Sequence, residues 1–165
     1  YDAFLEGKIA PVFDPNKDGG ALMDLNIYNI HLLAALFGLP DKVQYYANMQ
    51  KGVDTSGILH LSDPDKQASL TASKDSYVTP RSFIEGEKGS IYIDGSTGEL
   101  NNFTVQMRGK EPKRYNLNKY DHRMTSEFNA FSEIIDNHDT VKADEAFVNT
   151  LESMQILTAA RNSEE

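Results

Sequence analysis

From residue 19 the chain turns mainly apolar and stays so to residue 40: GGALMDLNIYNIHLLAALFGLP. Asp18 stands ahead of the two glycines as a helix N-cap, and Gly38 followed by Pro40 is a stop signal. The pattern predicts a helix from about Gly20 to Phe37, apolar on most sides and so sandwiched against protein. Before it, residues 1 to 17 are mixed and hold Pro11 and Pro15, which suits an irregular lead-in.

After the helix the texture changes to short β-rich runs: VQYYANM, DTSGILHL, QASLTAS, SYVTPRSFIEG, SIYID, FTVQM and KRYNL. Turn signals separate them at Lys51-Gly52, Asp63-Pro64, Gly86-Glu87-Lys88-Gly89, Gly95 to Gly98 and Gly109-Lys110. No helical pattern lies between the runs, so they predict antiparallel meanders in a sheet of about six or seven strands. Alternation splits Tyr45 and Tyr46 between the two faces of the sheet and gives His60 a structural place. Helical spacing then returns at Phe128, Phe131, Ile134 and Ile135, closes at Asn137-His138-Asp139, and resumes from Asp144 through Leu157. The order predicts one α+β domain over residues 1 to 165, with helices on one face of a largely antiparallel open sheet.

Composition narrows the partners. Charged residues at 25% and apolar residues at 39% suit a globular chain, and a net charge of -9 argues against nucleic acid, which needs a basic face. The absence of cysteine excludes disulfides and thiol nucleophiles and suits a reducing, cytoplasmic setting. The pattern shows no signal peptide and no apolar run of the ~18 residues that a membrane span requires. The opening YDAFLEGK, without methionine, suggests a trimmed or processed start.

The first helix carries an anomaly. At about 100° per residue, Asp24, Tyr28 and His31 fall within an arc of roughly 60°. An acid, a phenol and an imidazole on an apolar helix need partners. Two readings stay open. The three are ordinary satisfied groups, or they are an acid–base constellation facing a cleft. Tyrosine moves a proton when its pKa falls from ~10, which requires a nearby cation, and Asp24 works against that shift. This helix supplies no cation. Asp24 and His31 alone are one ligand short of a catalytic zinc site, and His60, His122 and His138 are scattered with no His-x-x-x-His pair, so no metal is expected. Lys74-Asp75-Ser76, between two strand runs, reads more readily as a solvated turn or ion pair than as a site wall; nothing places Arg81 or Arg108.

These residues resemble a known family. GGALMDLNIYNIHLLAALFGLP resembles the first long helix of the C-terminal domain of the Gfo/Idh/MocA oxidoreductases, whose usual form is Gly-Gly-Gly-x-x-x-Asp-x-Gly-x-His-x-x-Asp. GLPDKVQYYANM, FIEGEKGSIYID and the tail from EFNAFSEIIDNHD to TLESMQILTAARNSEE are similar to its sheet entry, its hairpin and its closing helices. The resemblance implies a domain of the glyceraldehyde-3-phosphate dehydrogenase-like C-terminal type. Asp24 falls on the motif aspartate, and Tyr28 on the catalytic histidine, where the glucose–fructose oxidoreductase and dihydrodiol dehydrogenase branch has an acid–base tyrosine. Asn26 replaces the glycine, and His31 takes the last position, which suits contact with a substrate hydroxyl.

The family implies an NAD or NADP cofactor held by an N-terminal Rossmann domain. This chain has no Gly-x-Gly-x-x-Gly, and Glu87-Lys88 is followed by glycine rather than the proline of the family's Glu-Lys-Pro lysine. The expectation is therefore the C-terminal part of a longer enzyme that moves hydride between nicotinamide and a sugar- or polyol-like substrate. The part alone would be inactive and would self-associate through the open sheet face, without nucleic acid or membrane. The alternative is a non-enzymatic ligand-binding or dimerisation module of the same fold.

Overall fold

The computed structural model describes residues 1–163. The residues ahead of the long helix are more ordered than their prolines suggest: a short helix α1 (Asp2–Leu5) and two 3₁₀ turns, Pro11–Phe13 and Pro15–Lys17. Phe4 stacks on Phe13 with ring centroids 4.7 Å apart, and both bury with Val53 in a small satellite core. Lys51 closes it by donating to the carbonyls of Phe4 and Leu5, each at 2.9 Å.

The apolar run forms helix α2, but not a uniform one. Leu22–Asn26 are wound as a π turn and Ile27–Phe37 as α-helix, ended by Gly38 at φ 72°. Asp18 is not its cap. Its backbone is left-handed (φ 54°) and its carboxylate pairs with Arg161 at 3.0 Å. The amide of Leu22 donates instead to Asp54 Oδ2 at 2.7 Å, a cap from 32 residues away. Gly20 makes this possible: its φ is 138°, and a Cβ there would lie 1.8 Å from Asp54 Oδ1.

By length and mean hydropathy (1.3), Pro15–Phe37 does pass as a possible membrane span, contrary to the sequence expectation. A core helix passes the same test, and here Leu22, Ile30 and Ala34 are buried in the protein core.

Seven antiparallel strands form, but in two sheets rather than one: β1 (Lys42–Gln50), β2 (Val53–Ser62) and β3 (Gln67–Ser73), then β4 (Arg81–Gly86), β5 (Gly89–Asp94), β6 (Asn102–Met107) and β7 (Lys113–Tyr115). The break falls at residues 74–80. There Ser73, Asp75 and Ser76 turn the chain on side-chain hydrogen bonds, and Pro80 has no N–H for a ladder.

Two compact units result. The first joins Tyr1–Tyr77 to the residues from Ala146 onward; the second is Val78–Glu145. Within the first, the register puts Tyr45 opposite Leu59 and Leu59 opposite Leu70, so one face of β1–β3 is continuous and apolar. That face meets Leu22, Ile30 and Ala34 of α2 and Ile156, Leu157 and Ala160 of the last helix, α4 (Thr140–Asn162). The helices thus lie on one side of this sheet. On the other side Tyr46 and its cross-strand neighbour Ile58 are 62% and 49% exposed.

Within the second unit, Glu87-Lys88 turns the β4–β5 hairpin between the paired glycines Gly86 and Gly89. Phe83 meets Tyr92 edge to face, and Phe103 stacks on Tyr115. α3 spans Met124–Asp136. α4 starts at Thr140 rather than near Asp144, because Asp139 accepts the Lys142 amide at 3.0 Å and caps it early.

Candidate active site

Three residue types on α2 separate by partner. Asn26, fully buried, donates from Nδ2 to the Leu70 carbonyl of β3 at 3.2 Å and accepts from Asn29 at 2.9 Å. It anchors the π turn to the sheet. Asp24 and Tyr28 face outward instead, with the Asp24 side chain 40% and Tyr28 45% exposed. A π turn, wound i→i+5, rotates less per residue than an α-helix and brings residues four apart closer to alignment. The Tyr28 hydroxyl has no hydrogen-bond partner among the described residues.

The cation absent from α2 comes from the end of β3. Lys74 Nζ lies 2.8 Å from Asp24 Oδ2 and donates to the Val12 carbonyl at 2.6 Å, with the Phe13 ring centroid 5.0 Å away. Its side chain is only 7% exposed, so Lys74 belongs to an ion pair rather than a solvated turn. The neighbouring backbone is fixed too. Lys74 donates its amide to the Thr55 carbonyl at 2.7 Å, and the Asp75 carboxylate accepts from Thr55, Ser56 and Ser73 hydroxyls at 2.6, 2.8 and 2.8 Å. The Thr55 hydroxyl above all, with those of Ser56 and Ser73, holds the Asp75 carboxyl below the usual carboxylate range against the desolvation that raises it.

His31 turns to α4. The Ser153 hydroxyl already donates to the Asn149 carbonyl at 2.8 Å, so at 3.2 Å from His31 Nδ1 it can only accept. Nδ1 therefore carries the proton, and Nε2 accepts from Asn149 Nδ2 at 3.1 Å. Both ring nitrogens are engaged, and Asn149 Oδ1 is left buried without a partner among the described residues. The three stripe residues thus differ in their contacts: Asp24 joins Lys74, Tyr28 stays open, and His31 ties α2 to α4.

A shallow cavity of about 230 Å³, not foreseen from the sequence, lies at the start of α2 between Leu22, Met23, Asp54 and Arg161; its lining includes none of Asp24, Tyr28 and His31. Among the described residues no three His, Asp or Glu side chains gather to hold a metal ion. Nor do the glycines form a phosphate loop. The pair Gly86 and Gly89 closes a hairpin, and Gly95 follows β5, so neither opens a helix whose N–H groups would cradle pyrophosphate.

The sequence model of the GFO/IDH/MocA C-terminal domain matches residues 4–92. The chain is 30% identical over 139 residues to the uncharacterized oxidoreductase YgjR of Escherichia coli, covering 84% of this chain and 42% of that protein. It is 40% identical over 96 residues to the scyllo-inositol 2-dehydrogenase (NADP(+)) IolU of Bacillus subtilis, covering 57% and 29%. The chain thus spans less than half the length of these curated relatives.

In fold it is similar to KijD10, a 3-ketoreductase from Actinomadura kijaniata solved with NADP, at TM-score 0.69 and 15% identity over 88% of this chain and 48% of that one. It is similar also to an aldose-aldose oxidoreductase from Caulobacter crescentus complexed with glycerol, at TM-score 0.66 and 22% identity over 87% and 46%. The matched span holds α2 with Asp24, Tyr28 and His31 and the whole sheet that positions them, and the chain belongs to the GFO/IDH/MocA C-terminal domain family.

Proposed function

We propose that this chain supplies the substrate-facing half of an NAD(P)-dependent oxidoreductase that interconverts an alcohol and a ketone on a sugar- or polyol-like molecule. The observation that carries the reading is the exposed, unengaged hydroxyl of Tyr28 one turn from an Asp24 whose charge Lys74 offsets. The names of IolU, a scyllo-inositol 2-dehydrogenase (NADP(+)), and of KijD10, solved with NADP, support the cofactor and substrate classes. The nicotinamide would supply the hydride when bound.

What this chain contributes is proton handling and orientation. The Tyr28 hydroxyl donates its proton to the carbonyl oxygen on reduction and recovers it from the alcohol on oxidation. Asp24 accepts a hydrogen bond from a neighbouring substrate hydroxyl through the oxygen that Lys74 leaves open. His31 Nε2 meets a second hydroxyl only when Asn149 releases it. The bare face around Tyr46 and Ile58 supports self-association of the protein through β1–β3.

The test is a screen of the full-length protein against a polyol panel that includes scyllo-inositol. Turnover is followed by absorbance with NAD⁺ and NADP⁺ and repeated with Tyr28→Phe. Loss of turnover with cofactor binding intact supports the reading. Undiminished turnover removes Tyr28 from it.

A further inference from the structure

We propose that Lys74 is the positioning residue of this site: its ammonium fixes the Asp24 carboxylate and, through the Val12 carbonyl, latches Pro11–Phe13 to the start of α2. The proposal rests on the reading of Asp24 and Tyr28 as the substrate-facing pair. Removing an ammonium from water is costly unless other groups replace the lost hydration. Lys74 has three replacements: the carboxylate at 2.8 Å, the carbonyl at 2.6 Å and the face of Phe13.

These contacts close a ring. The Val12 carbonyl that takes Lys74 also accepts the Gly20 amide at 3.0 Å, and the Gly20 carbonyl accepts the Asp24 amide at 3.1 Å. Lys74 returns from Asp24 to Val12. The lysine cannot shift without moving either the N-terminal segment or the carboxylate. Behind it, the bond from its own amide to Thr55 and the hydroxyl cage of Asp75 hold the end of β3 still.

A consequence for the substrate class follows. With Oδ2 held by Lys74, Asp24 offers Oδ1 as an acceptor in a pair with no net charge. Such a pair accepts a hydroxyl from a neutral polyol without favouring an acid or an amine.

Lys74→Met keeps the length of the chain and removes the charge. Asp24 is 40% exposed and can be solvated without its partner, and Val12 keeps the Gly20 amide, so the variant is expected to fold. In the full-length protein, with scyllo-inositol and NADP⁺ as the first probe pair, Lys74→Met raises KM about tenfold while kcat stays within about threefold, because Tyr28 is untouched. Lys74→Arg recovers most of that loss. A merely structural lysine would lower the amount of active protein, hence kcat, and leave KM alone.

Hydrogen exchange of a peptide spanning residues 11–20 provides a readout independent of activity, and about tenfold faster exchange in Lys74→Met is expected. Unchanged exchange overturns the proposal, and so does a loss confined to kcat. Tyr28→Phe run beside it separates the two ideas: if that variant keeps full turnover, the assignment of Tyr28 fails while the exchange arm still decides the latch. If no polyol in the panel turns over, exchange alone decides, with tenfold acceleration in favour and no change against.

Discussion

Asp54 caps the helix that carries Asp24 and Tyr28: its Oδ2 accepts the Leu22 amide at 2.7 Å and the Tyr45 hydroxyl at 2.7 Å. One carboxylate oxygen thus joins the first turn of α2 to the centre of β1. Asp54→Ala removes a helix cap and a second, partly buried hydrogen bond, and should cost about 2–3 kcal/mol in urea unfolding. Asp54→Asn keeps a carbonyl oxygen in the same place and should cost about 1 kcal/mol. Equal losses for the two variants would mean that charge, not position, makes the cap.

Gly57 is required for a different reason. A Cβ built on it would lie 2.3 Å from the Tyr45 hydroxyl oxygen, 2.4 Å from Cζ and 2.5 Å from Cε2. Overpacking of this kind costs about 1–3 kcal/mol, so Gly57→Ala should lower stability by that amount. Because ring carbons are as close as the oxygen, adding Tyr45→Phe should not relieve the strain. Tyr45→Ala should relieve it, and a double-mutant cycle should show strong coupling for that pair. Additive losses would place the cost elsewhere.

The contrast between these two residues and the readable parts of the chain is physical. The strands were legible because alternation, β-branched content and turn dipeptides are local; at Lys51-Gly52, φ 49° and 80°, the glycine marks the two-residue hairpin turn although lysine does not favour its left-handed position. Tyr45 at 1% exposure and Tyr46 at 62% divide between the sheet faces as alternation requires. The cap was misread at Asp18 because Asp54 is remote in sequence and reaches Leu22 only past Gly20. Lys74 reads from sequence as a solvated turn or an ion pair; that its partner is Asp24 was hidden for the same reason as Asp54, because a strand end meets a helix face only in the folded chain. The stripe itself was legible. That Asp24 pairs with Lys74 and His31 with α4 while Tyr28 stays open was not.

Asp75 carries a pH signature. Its folded carboxyl is held below the ordinary range by hydroxyls of Thr55, Ser56 and Ser73, so the unfolded state binds a proton first as the solution is acidified. Its contribution is fully present above the ordinary carboxylate range, near ~3.9, and is lost as pH falls through the lower folded value. The stability gap between wild type and Asp75→Asn should therefore be largest near neutral pH, shrink below pH ~4 and close at the acid end. Denaturant unfolding at several pH values measures it. A gap that widens on acidification would contradict the hydroxyl cage.

His31 gives a spectroscopic prediction. Ser153 has one hydroxyl proton and gives it to the Asn149 carbonyl, which forces His31 Nδ1 to donate and Nε2 to accept. Imidazole ¹⁵N shifts in the intact protein should therefore report the Nδ1–H tautomer above the range where histidine takes a second proton. Ser153→Ala removes the acceptor that selects it, so the two tautomers should mix while stability falls by about 1 kcal/mol. An Nε2–H tautomer in the wild type would mean that the Asn149 amide is turned to present Oδ1 to the ring. That would leave two lone pairs facing each other at Ser153, so the tautomer decides which contact positions the ring between α2 and α4.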